Sequence, residues 1–335
     1  MPSLADAVLP SFYAAASAEY RAAARREGVV ERRLRFADRA VTLRFAGSGL
    51  ADVLFAALAP RADDLPGDVD MTIASWEQRA CPAGSLAFPW RLADVGPGGI
   101  VRDGGADRVL AVHDTYAGAV TLVDSSPGAS VLHRVPSYGS IPWWERAAPL
   151  RQALFWALAG HRRHLVHAGA VGDDRGGVLL AGPRGSGKTT VVLAALAQGV
   201  GFVADDYVLL DARGEPEAVS LYGTASIAAA SGGDEKRVVN VAEAMPGSLR
   251  ASLPVCAVVV PRIRGGRTRL VRVRPAEALR AWAPTSLFEM PFDGGAALAA
   301  LAAVVRAVPC FALEVGDDAA ELARAVDQVL DQAAS

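Results

Sequence analysis

The segment Gly176–Gly199, GGVLLAGPRGSGKTTVVLAALAQG, constrains the fold more than any other part of the chain. An apolar run of strand length leads into a glycine-rich loop, and the loop leads into an apolar stretch of helix length closed by Gly199. Gly182-Pro183-Arg184-Gly185-Ser186-Gly187-Lys188-Thr189 fits G-x-x-x-x-G-K-[ST], in the strand, loop and helix context that gives the pattern meaning. The glycines let the backbone wrap so that successive N–H groups point inward, and the helix beginning at Lys188 adds the positive end of its dipole. Such a loop is suited to phosphate. Lys188 is expected to reach the β- and γ-phosphates of a nucleotide and the Thr189 hydroxyl to take one position on Mg²⁺, with Gly182 to Thr190 forming the cradle.

Two carboxylates follow one helix later. Asp205 and Asp206 end the apolar segment GFVADD, and adjacent acids at a strand end project in different directions. One can hold Mg²⁺ while the other faces a phosphoryl acceptor. On the other side of the loop, HLVHAGAV and GGVLLAG are apolar runs separated by GDDRG, which predicts a hairpin and hence a mixed rather than purely parallel sheet. Further strands are expected at AVSLYG, PVCAVVVPRI, RTRLVRVRP and CFALEVG, with a final helix at DDAAELARAVDQVLDQA.

The first part of the chain reads differently. After a helical N-terminus, residues 28 to 135 alternate in short stretches broken by Gly, Pro and Asp, an antiparallel β pattern. A linker is expected near Ser137 to Trp144 and a helix from Pro149 to Ala159, giving a β-rich α+β domain over 1–140 and an α/β domain over 141–335.

Composition narrows the partners. With 52% hydrophobic residues, 21% charged and a formal net charge of −2, the chain has no domain-wide positive field for nucleic acid. The start lacks a secretion signal, and Gly295 to Leu313 carries Arg306 and Pro309 in a mostly alanine stretch too weakly apolar for a membrane span. Cys81, Cys256 and Cys310 stand in no paired spacing, as expected of buried free thiols in a reducing cytoplasm. His161, His164 and His167 cluster without an acid or Cys at fitting spacing, which argues against zinc. Trp143 and Trp144 suit packing at a domain junction, and the six arginines of Pro261 to Pro275 suit a charged hairpin at a sheet edge.

Taken together, HAGAV, GGVLLAGPRGSGKTT and GVGFVADDYVLL resemble the catalytic core of the HPr kinase/phosphorylase family and its related serine kinases, including those acting on lasso-peptide precursors. The resemblance covers about Leu165 to Asp211 strongly. It implies a P-loop kinase core with a mixed sheet of the HPr kinase type. It also implies Asp205 as general base, Asp206 as metal contact, and His167 lining the site near the phosphates or Asp205. Where family enzymes that phosphorylate HPr carry an LEVRG-type segment with a metal-binding Glu, this chain has AVSLYGTASI (Ala218 to Ile227). That departure counts against HPr as substrate and against phosphorolysis. Lys236 and Arg237 fall where the family's loop that steadies the transferred phosphate is expected, and the N-terminal half resembles the β-rich attachment of kinases encoded beside peptide-modification genes.

The expected function is therefore an ATP- and Mg²⁺-dependent kinase acting on the serine-type hydroxyl of a small protein or ribosomal peptide precursor. ATP is preferred over GTP because no [NT]KxD motif occurs. Neither nucleic acid nor membrane is an expected partner, and a homo-oligomer is left open. A small-molecule hydroxyl kinase and a nucleotide-gated binding protein without phosphotransfer are the alternatives.

Overall fold

Every third or fourth residue of the N-terminal helix α1 (Val8–Glu27) that faces inward is apolar, and Leu9, Phe12, Ala16 and Ala23 are buried there. In this computed structural model the described residues are 8–36, 39–63, 69–80, 86–101, 108–158, 163–212, 214–228, 235–289 and 294–334. They fall into two units, divided between Ala157 and Leu158.

The first unit places α1 on a six-stranded sheet. Its strands are β1 (Val29–Phe36), β2 (Arg39–Ala46), β3 (Met71–Glu77), β4 (Val109–Asp114), β5 (Ala119–Asp124) and β6 (Val131–Val135), in the order β1-β2-β3-β6-β5-β4. The side chains of α1 join Trp76, Val120 and Leu122 in one core. Three short helices complete it: α2 (Ser48–Phe55), α3 (Trp143–Ala147) and α4 (Arg151–Leu158). The expected antiparallel sheet is corrected in its middle, where β2 and β3, and then β3 and β6, run parallel. Alternation of apolar residues reports which face of a strand is buried, not the direction of its neighbour. The crossover through α2 and the intervening β4–β5 hairpin decide that direction.

The second unit is the mixed α/β part. It runs β7 (Arg163–Asp173), β8 (Gly176–Ala181), α5 (Lys188–Leu196), β9 (Gly201–Ala204), β10 (Tyr207–Asp211), β11 (Glu217–Ser220), β12 (Thr224–Ala228), β13 (Lys236–Asn240), α6 (Val241–Ala244), β14 (Ser252–Ile263), β15 (Arg269–Val273), α7 (Pro275–Glu289), α8 (Gly294–Ala307), β16 (Cys310–Val315) and α9 (Ala319–Ala334). Its main sheet runs β11-β10-β7-β8-β14-β16-β15, with β9 beside β7 and β11 also pairing β14. The β7–β8 hairpin is present, with Asp173 opposite Gly176. Strands β8, β14 and β16 are mutually parallel and lie under helices on both faces, α7 and α8 on one and α5 and α9 on the other. Burial on both faces explains why Val258, Val259 and Val260 form an unbroken apolar run. The small ladder β12–β13 stands apart from the main sheet.

The arginine-rich hairpin expected over Pro261 to Pro275 does not form. Strand β15 pairs antiparallel with β16, which lies between it and β14. The cause is burial: β16, CFALEV, is almost wholly buried and takes the inner position, whereas β15, RLVRV, keeps its arginines in solvent at the edge. Cys256 and Cys310 are free thiols, half-buried and buried, while Cys81 and His161 lie outside the described residues. No helix among the described residues is long and apolar enough to cross a membrane.

Candidate phosphate-binding and carboxylate site

The glycine-rich loop leaves β8 at Ala181 and enters α5 at Lys188. Gly182 has φ +148, and a Cβ there would stand 3.1 Å from Ser186 Oγ, so the tight entry to the loop requires glycine. Lys188 is only 6% exposed, and its Nζ donates to the carbonyls of Gly182 (2.9 Å) and Pro183 (3.1 Å). The ammonium is thus folded back across the loop. Phosphate oxygens would offer it stronger, charge-assisted acceptors than those two carbonyls. Ser186 Oγ is screened from solvent and has no hydrogen-bond partner. Arg184, Gly185 and Thr190 are exposed around the rim.

Strand β7 joins this loop to the carboxylates. On one flank Ala168 is opposite Ala181, the last residue before the loop; on the other, Ala170 is opposite Ala204 and His167 opposite Tyr207. Asp205 and Asp206 sit in the bend between those last two pairings. They therefore lie two strand spacings from the root of the loop, about 10 Å of backbone separation, a gap that side chains and a phosphate chain can bridge. The crossing needs a small residue on β7: a Cβ on Gly169 would be 3.1 Å from the Asp205 carbonyl oxygen and 3.2 Å from Val192 Cγ2 of α5.

The two acids have opposite surroundings. Asp205 is 4% exposed, and its Oδ2 accepts from the Ser226 amide at 2.8 Å. Burial, with the Asp206 charge adding to it, pushes Asp205 up to about 6 against the pull of the Ser226 amide, the Thr189 hydroxyl and Lys236. Its Oδ1 is buried without a hydrogen bond. The Asp206 side chain is 45% exposed, and its Oδ1 lies 2.7 Å from His167 Nε2. Burial would raise Asp206, but the His167 hydrogen bond and charge, Lys188 and Lys236 outweigh it and bring the pKa to about 2. An ionised carboxylate only accepts, so His167 Nε2 carries the proton of that bond.

His167 is held on all sides. Its ring packs on Tyr207 with centroids 5.5 Å apart, its backbone N–H donates to Ser286 Oγ at 3.1 Å, and Trp282 Nε1 donates to its backbone carbonyl at 3.2 Å. Trp282 and Ser286 belong to α7, which serves the edge of β7 that β8 has not yet reached. Among the residues anticipated from sequence, Lys188, Thr189, Asp205, Asp206, His167 and Lys236 converge here. Arg237 is exposed and faces away, because successive residues of β13 point to opposite sides. Ser226, Tyr207, Trp282 and Ser286 were not anticipated. Only Tyr207 carried a signal, by following the acids directly.

No group of three or more His, Cys, Asp or Glu side chains that could hold a metal gathers among the described residues. No known family matches the chain, and no curated protein matches it. Among solved structures it is similar to the Hpr(Ser) kinase/phosphatase from Coxiella burnetii, at 12% identity over 50% of this chain and 95% of that one, with a TM-score of 0.32. The fold is mixed α/β. A likeness at that TM-score carries nothing further.

Proposed function

We propose that the chain is an ATP-dependent kinase that transfers the γ-phosphoryl group to a serine-type hydroxyl of a small protein or ribosomal peptide precursor. The observation that carries this reading is the half-exposed, ionised Asp206 hydrogen-bonded to His167, two strand spacings from the root of a loop that holds a buried lysine. Loop amides and Lys188 bind the triphosphate; Asp206 meets the acceptor and takes its hydroxyl proton as the oxygen–phosphorus bond forms and the bond to the leaving ADP oxygen breaks. The transition state in such transfers is loose, so orientation by His167 matters more than basicity.

Accessibility supports a division of roles opposite to the one the resemblance implies. Asp205, buried near the Thr189 hydroxyl and with an oxygen lacking a hydrogen bond, suits the metal side. One hydroxyl and one carboxylate leave the remaining positions to water and phosphate, the coordination Mg²⁺ favours. When bound there, Mg²⁺ would neutralise charge on the phosphate oxygens and on Asp205 itself. Lys236, close enough to lower both acids, steadies the negative charge on their side.

The test is transfer of label from γ-labelled ATP, with Mg²⁺, to serine-bearing peptides encoded beside the gene. Asp206→Asn should abolish transfer by about 10²-fold or more while leaving ATP affinity near normal. Unchanged transfer in that variant would overturn the reading.

A further inference from the structure

A cavity of about 480 Å³ opens beside the glycine-rich loop, where the loop meets β14 and helix α7. Its wall includes Pro183 and Ser186 of the loop, Pro261 at the end of β14, and Arg280, Ala281 and Thr285 of α7. It therefore sits at the carboxyl ends of the parallel strands β8 and β14, where open α/β sheets bind ligands. Its volume is that of a site for a small organic molecule.

We propose that this cavity receives the nucleoside of the nucleotide whose phosphates lie on the loop. The inference rests on the phosphate-site reading of the loop. Its direction comes from the sheet: the acids stand beyond β7 on one side of β8, and the cavity lies toward β14 on the other. A triphosphate has one reacting end and one nucleoside end. If the reacting end faces Asp206, the nucleoside leaves the loop toward β14. The chemistry of the wall agrees. Apolar Pro183, Pro261 and Ala281 suit the faces of a purine, an arginine such as Arg280 can stack on its plane, and polar atoms stand at the edge. The Thr285 hydroxyl donates to the Trp282 carbonyl at 3.1 Å, which leaves its lone pairs to accept from an exocyclic amine. Ser186 Oγ, screened from solvent and without a partner, lies where the loop meets the cavity wall.

Calorimetric titration of the full chain with MgATP and with inorganic triphosphate separates the two readings. Ala281→Phe fills the cavity and should weaken MgATP by about tenfold or more while changing inorganic triphosphate by less than about twofold. Arg280→Ala, at an exposed position that does not threaten folding, should weaken MgATP by about threefold or more and leave triphosphate alone. MgATP affinity unchanged in both variants, or equal losses for both ligands, would overturn the cavity assignment while leaving the loop in place. A wild-type chain that binds neither ligand overturns the loop reading, and the cavity assignment with it.

Discussion

His167 Nε2 and Asp206 Oδ1 lie 2.7 Å apart, on strand β7 and in the bend before β10, although 39 residues separate them in the chain. The imidazole orients the carboxylate and keeps it ionised, and α7 fixes the imidazole through its backbone. In the proposed transfer, a carboxylate positioned in this way sets both the rate and its pH dependence.

His167→Ala should therefore lower transfer by about 10²-fold. It also removes the hydrogen bond and charge that hold Asp206 near 2, so the acidic limb of the kcat profile should move to higher pH. A drop in rate with the acidic limb unmoved would make His167 a packing residue only.

Asp205 gives a stability prediction with a definite sign. Its folded pKa of about 6 exceeds the 3.8 of an ordinary aspartate, so the native state binds the proton more tightly than the unfolded chain. Its contribution is whole below pH 4 and is lost as pH rises through 6, by about 3 kcal/mol in total. Asp205→Asn keeps an acceptor for the Ser226 amide and carries no charge. The variant should match the wild type at pH 4 and exceed it at pH 8, as read from urea unfolding without nucleotide or Mg²⁺.

Gly169→Ala tests the crossing between β7, α5 and the Asp205 backbone. The new methyl meets the Asp205 carbonyl oxygen and Val192 at 3.1 and 3.2 Å. A loss of about 1–3 kcal/mol is expected, since one contact is backbone and cannot turn aside. Retained stability in a denaturation curve would mean that the crossing is looser than the backbone suggests.

Lys236 and Arg237 are neighbours on β13 with different fates. Lys236→Ala should raise the apparent pKa values of both acids and slow transfer, because Lys236 lowers each of them. Arg237→Ala, on the exposed side of the strand, should leave the profile close to wild type. Equal effects in parallel pH–rate measurements would remove Lys236 from the site.

Local chemistry in the chain was enough to specify the glycine-rich loop, the β7–β8 hairpin, the helix after the loop and the acidic bend, because each depends on neighbours within a few residues: glycines for the turn, apolar periodicity for the elements, paired acids at a strand end. Those same signals could not order the strands. The parallel pairs in the first sheet follow from the crossover through α2 and the β4–β5 hairpin, and β16 displaces the expected hairpin partner of β15 because it is the more buried strand; both are properties of the assembled sheet. Nor could they separate the roles of Asp205 and Asp206. Adjacent in sequence and identical in chemistry, the two acids differ because Ser226 and burial enclose one while His167 and solvent meet the other. The chain by itself determined that a glycine-rich loop between strand and helix and two adjacent carboxylates would exist. Tertiary structure alone decided which carboxylate is buried and which is presented, because burial and hydrogen-bond partners come from residues distant in sequence.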